Sequence, residues 1–133
     1  MVRCTLSTNL EGDNNYMDDK IQVLIQNFVQ FTDGHYKATL AGNWREANKN
    51  AKKLHKTFLQ IVKLGDKARE ALLALTRNEP GYIAAMAAAY SLKYNPEKAM
   101  EALTKLAKIP GLTGLGAQQT IKNWEEGTWQ LEK

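Results

Sequence analysis

A single cysteine, Cys4, stands in the 133 residues, so an internal disulfide framework is excluded, and with only two histidines beside it a structural zinc site would need several carboxylates. Metal and redox chemistry are therefore not expected, and no cofactor is. Within residues 1–16 no run of seven apolar residues follows Arg3, which argues against a signal peptide, and the composition is too interrupted by polar residues for a membrane span. No segment alternates as a strand does, and no glycine-rich loop follows a strand to cradle phosphate. No Ser/His/Asp or Cys/His arrangement is legible. The carboxylate pairs Asp18–Asp19 and Glu125–Glu126 are sequence neighbours, and neighbours on a helix point apart. His35 and His55 lack partner spacing and read as ordinary boundary histidines. The expectation is a protein without catalytic residues.

What is present is the composition of one soluble globular domain: 44% hydrophobic and 24% charged residues, with 18 basic against 14 acidic side chains for a net charge of +4. That excess permits a nucleic-acid partner without implying one. Residues 1–16 carry Asn9, Gly12, Asp13, Asn14 and Asn15 among few apolar positions and read as a flexible arm, with Met17 as a conceivable alternative start. Residues 17–127 form the expected domain and 128–133 a tail.

From Asp18 the apolar positions Ile21, Leu24, Ile25, Phe28, Val29, Thr32 and Tyr36 keep the i, i+3, i+4, i+7 spacing of one helical stripe. This first helix is expected to run through Gly34 to Leu40 and to stop at Gly42. Asn43, with Glu46 three residues on, suggests a capping box opening a second helix from Trp44 to Leu64. Asp66 to Leu75 gives a third, and Pro80 precedes a fourth over 81–92. Pro96, suited to a first helical position, starts a fifth to Ala107. Pro110 and Gly111 precede a sixth over 113–126, closed by Gly127. Glu70-Ala71-Leu72 returns as Glu101-Ala102-Leu103, Pro80-Gly81 as Pro110-Gly111, and Ala87 as Ala117. A period near 30 is what stacked helix pairs produce. The expected fold is all-α, six helices in three stacked antiparallel pairs.

Two helices stand out. On the second, Arg45, Lys49, Lys52, Lys53, Lys56 and Lys63 share one face, opposite Trp44, Ala47, Ala51, Leu54, Phe58, Ile61 and Val62. The basic face is either a solvated outer surface or a patch for an acidic protein or for phosphates. The fourth helix is apolar all round from Ile83 to Ala89, as a helix surrounded by neighbours is. Trp124 is expected in the core with Ala117 and Ile121, and Trp129 either folds back or is offered to a partner.

Gly42-Asn43 before a long helix, Leu64-Gly65, Glu70-Ala71-Leu72-Leu73, the Pro80 break, the alanine-rich fourth helix, Asn95-Pro96-Glu97-Lys98-Ala99 and Ile121-Lys122-Asn123-Trp124-Glu125-Glu126-Gly127 together resemble a family of small bacterial HEAT-like proteins. Some members serve as immunity proteins in contact-dependent growth inhibition and related polymorphic toxin systems. The resemblance implies a HEAT/ARM-like right-handed superhelix. It also implies a cytoplasmic monomer that binds a cognate toxin C-terminal domain, often a nuclease, one to one and occludes it. In such a stack the second helix of each pair is expected to line one shared surface: Lys49, Lys52, Lys53 and Lys56, then Tyr82, Met86 and Tyr90, then Gln119, Lys122 and Glu126. The competing readings are a basic module that binds nucleic acid and an adaptor for a protein other than a toxin.

Overall fold

The computed structural model describes the backbone of residues 9–78 and 80–129 and the side chains of 18–77 and 80–129. Within them the chain forms six helices and no strand: α1 (Asn9–Leu40), α2 (Trp44–Leu64), α3 (Asp66–Asn78), α4 (Gly81–Ser91), α5 (Pro96–Leu106) and α6 (Leu112–Glu125). Consecutive helices pack as α1/α2, α3/α4 and α5/α6, and α4 also touches α1, α5 and α6. The all-round apolar helix is thus the central one.

Helix α1 begins well before Asp18. Residues 9–16, read from sequence as an arm, are helical, while 1–8 lie outside the described residues. The missing apolar stripe misled the reading, because a helix anchored by a packed body extends at the gain of one hydrogen bond per residue. Its far end is set by Gly42 at φ 74°, where Asn43 N–H donates to the Ala38 carbonyl (2.9 Å) and Gly42 N–H to that of Thr39 (3.1 Å). This is a Schellman closure. It also explains why only half of the expected capping box forms. The Asn43 side chain accepts from Glu46 N–H at 3.1 Å, but the Asn43 N–H is already committed, and the Glu46 carboxylate accepts from Asn50 instead.

The main core joins Ile21, Leu24 and Phe28 of α1 to Leu54, Phe58 and Ile61 of α2, Leu72 and Leu75 of α3, and Ala87 and Tyr90 of α4. A second cluster holds Ala88, Leu92, Ala99, Leu103 and Ala117, with Ile121, Trp124 and Trp129 against it. The internal repeat is visible in this burial. Leu72 and Leu103 are both buried, as are Ala68 and Ala99, and Ala87 and Ala117, so each repeat presents the same positions inward.

Gly114 falls 30 residues after buried Ala84 but cannot share its side chain, since a Cβ there would overlap the Ile109 carbonyl oxygen. The α5–α6 loop is folded back over that backbone, and only hydrogen fits. Gly114→Ala is therefore expected to destabilise the protein by about 1–3 kcal/mol through overpacking, despite alanine's better helix propensity. Urea melts of the two proteins measure it. By contrast Gly116→Ala, whose Cβ would meet nothing within 4 Å, is expected to be neutral or stabilising.

Candidate binding surfaces

The one-sided spacing of α1 puts Thr32, His35, Tyr36 and Thr39 beside α4, whose Tyr82, Ala85, Met86 and Ala89 make a floor. Across that floor α6 contributes Leu112, Thr113, Gly116 and Thr120. The groove so formed has a volume of about 270 Å³. Small residues on α4 and α6 hold it open, because they leave the space between α1 and α6 unfilled.

Its aromatic wall is fixed at several points. Tyr36 and Tyr82 stack with ring centroids 4.1 Å apart and planes within 5°. The Tyr82 hydroxyl donates to Asp33 Oδ1 at 2.6 Å, and Asp33 pairs with Lys37 at 3.0 Å. The Tyr82 hydrogen bond first, and Lys37 second, hold the Asp33 carboxyl below its ordinary pKa, while the same bond raises that of Tyr82. Trp129 closes the opposite end. Gly127 at φ 79° reverses the chain after α6, with Gly127 N–H to Trp124 and Thr128 N–H to Asn123. The returning Trp129 indole then donates to the Ala89 carbonyl at 3.2 Å. Of the two sequence expectations for this tryptophan, the folded-back one holds.

His35 is half-buried in the groove, and desolvation lowers its pKa from the ordinary 6.5. A lowered folded-state pKa means that the unfolded chain binds the proton more readily. The associated stability is complete above pH 6.5 and is lost as pH falls through the folded-state value. Melting temperatures recorded from pH 7.5 down to 5 are expected to fall, and His35→Gln is expected to flatten that slope. The Asp33 contribution disappears only at more acidic pH, below its ordinary value of 3.8.

A second surface lies where α1 ends, α2 begins and α6 begins. Thr39 and Leu112 line the same groove and Gly81 lies beside Ile109 and Thr113, so these helix ends share one end of the molecule. Of the exposed large apolar side chains among the described residues, Leu40 and Trp44 flank the α1–α2 turn, and Ile109, Leu112 and Leu115 lie in the α5–α6 loop and the start of α6. Trp44 is 64% exposed. Sequence spacing put it on the inner stripe of α2, but as that helix's first residue it overhangs the packed body. Directly after it, Arg45, Asn48, Lys49, Lys52 and Lys53 surround a shallow depression. Arg45, Lys49, Lys52 and Lys56 form no ion pair among the described residues, whereas Lys53 Nζ lies 5.7 Å from the Phe31 ring centroid.

The expected surface shared by helices 2, 4 and 6 is not what the groove uses, since α1 takes the place of α2 in its lining. Tyr82 and Met86 lie in it. Tyr90 does not: it is buried against Phe28 and Phe58, with ring centroids 5.6 and 4.6 Å away, and burial pushes its pKa to about 12. Its loss would act on the fold rather than on a partner. Lys49, Lys52, Lys53 and Lys56 are exposed together on α2, and Gln119, Lys122 and Glu126 are exposed at α6 without lining the groove. Among the described residues no three His, Cys, Asp or Glu side chains come together as a metal site would need. No described helix is long and apolar enough to cross a membrane.

No family model matches the sequence. No curated protein matches it either. Among solved structures the chain is similar to the protein RPA1889 from Rhodopseudomonas palustris CGA009, with a TM-score of 0.75 and 21% identity over 83% of this chain and 92% of that one. At that identity the likeness concerns the fold.

Proposed function

We propose that this chain works by stoichiometric binding to a protein partner, and that the partner is a toxin domain neutralised by occlusion, as the family resemblance implies. The observation carrying the binding reading is the exposed Trp44, four residues from exposed Leu40 across the α1–α2 turn, running directly into Arg45, Lys49 and Lys52, which form no ion pair among the described residues. An aromatic anchor flanked by charge has the anatomy of an interface core and rim. A surface of about 800 Å² per partner is enough for a stable complex, and a helical stack requires little ordering on binding. The basic rim suits an acidic face on the toxin domain. In this reading no residue acts as a catalyst.

Co-purification with the C-terminal domain of the protein encoded immediately upstream tests the proposal, a 1:1 complex being the expected result. The row of Lys49, Lys52 and Lys56 on α2, without an ion pair among the described residues, favours one alternative, phosphate binding. On that reading affinity for RNA or DNA would fall about tenfold or more over a few-fold increase in salt, whereas a complex centred on Trp44 would keep most of its affinity.

A further inference from the structure

The groove between α1 and α6 has properties that the toxin reading does not use. We propose that it is a binding site for a small, flat, uncharged aromatic molecule of about two fused rings that carries a hydrogen-bonding group.

Size sets the first limit. An apolar cavity of about 150 Å³ holds benzene, so the groove's volume of about 270 Å³ suits a molecule with nearly twice that bulk. It lies just below the range of about 300–1,000 Å³ usual for larger ligands.

Shape sets the second. Tyr36 and Tyr82 both line the groove and are held by their mutual stack and by the Tyr82 bond to Asp33, so little freedom is lost when a ring packs against them. The groove's other end already accepts an indole, that of Trp129.

Charge sets the third. Among the described residues no Lys, Arg, Asp or Glu lines the groove, and His35 favours the neutral imidazole there. An ion entering would lose water without gaining a counter-charge, a penalty that a neutral ring avoids.

Polar groups set the fourth. Thr39 and Thr120 spend their hydroxyls on carbonyls of their own helices, at 2.8 and 2.9 Å. Thr32 does not. It lines the groove at 1% exposure, and its hydroxyl has no partner, a state that costs free energy. The His35 ring also makes no hydrogen bond among the described residues. A ligand with one N–H or O–H at its edge offers the half-buried His35 ring a partner, whereas the Thr32 hydroxyl, closed to solvent, must turn to reach one.

The site does not depend on a protein partner, so the full chain alone tests it. Methyl NMR titration with indole is expected to give saturable shifts at Ala85, Met86 and Ala89, and indole-3-carboxylate is expected to bind at least about tenfold more weakly. Gly116→Leu fills the groove from a position where an added Cβ meets nothing within 4 Å, and is expected to weaken indole binding about tenfold or more. Ala85→Leu does the same from the α4 side should Gly116→Leu fold poorly. The proposal is overturned if indole causes no saturable shift, if it binds the filled variants as well as the parent, or if its shifts map to Leu40 and Leu115 instead of the groove. Any of these outcomes leaves the toxin reading untouched, and a failure to bind toxin leaves this one untouched.

Discussion

Leu72→Asp is expected to abolish cooperative folding at ordinary temperatures. Leu72 is 2% exposed and belongs to the cluster that joins α1, α2, α3 and α4. A carboxylate there finds no cation and no hydrogen-bond donor, so the cost of several kcal/mol comes on top of the lost apolar burial. A domain of this size has about 5–15 kcal/mol in total. Leu103→Asp, at the matching position of the next repeat, is expected to behave alike, since Leu103 is buried in the second cluster. Circular dichroism during heating measures both. An unchanged melting temperature for Leu72→Asp would mean that the inner face of α3 is wrongly assigned.

Trp44→Ala is expected to weaken binding of the proposed toxin partner about 30-fold or more while leaving stability within about 0.5 kcal/mol of the parent. Aromatic anchors that exclude water hold most of an interface's energy. Trp44 is exposed in the free protein, so removing it sacrifices little packing. Reversing Lys49 and Lys52 to glutamate is expected to act differently, slowing association more than it speeds dissociation and making the rate less sensitive to salt. Tyr82→Ala is a poorer probe, because it removes both the stack on Tyr36 and the bond to Asp33. Stopped-flow association and dissociation rates separate these effects. A Trp44→Ala variant that binds as tightly as the parent would move the interface elsewhere.

The helices from α2 onward were legible because their boundaries are chemical: Gly42, Gly65 and Gly111 take positive φ, and Pro96 opens α5. The α3 end at Asn78, three residues past the expected Leu75, carries no such signal before Pro80. The inward residues of α3 and α5 followed from the 31-residue match of Leu72 with Leu103. The binding surfaces were harder to read, for three physical reasons. A helix apolar all round, as α4 is, has no stripe to say which side faces a neighbour, so Tyr90 and Tyr82 looked equivalent while one is buried and the other lines the groove. A repeat specifies packing within a pair more directly than it specifies which helix of the first pair flanks α4, and that helix is α1. Periodicity also treats the first turn of a helix like its middle, which concealed the exposure of Trp44. One signal could have located the groove: Gly116 and Ala85 are small residues on facing helices, where larger ones would have filled the space.

The central claim is neutralisation by binding, and a titration in cells tests it most directly. The C-terminal domain of the protein encoded immediately upstream, the proposed toxin, is expressed at a fixed level while this chain is induced in steps, with Trp44→Ala run in parallel and both proteins quantified. The account predicts that survival returns once this chain equals the toxin domain in amount, and that Trp44→Ala, equally soluble and folded, needs a large excess. Death at every level of folded protein, or equal protection by Trp44→Ala, would contradict it.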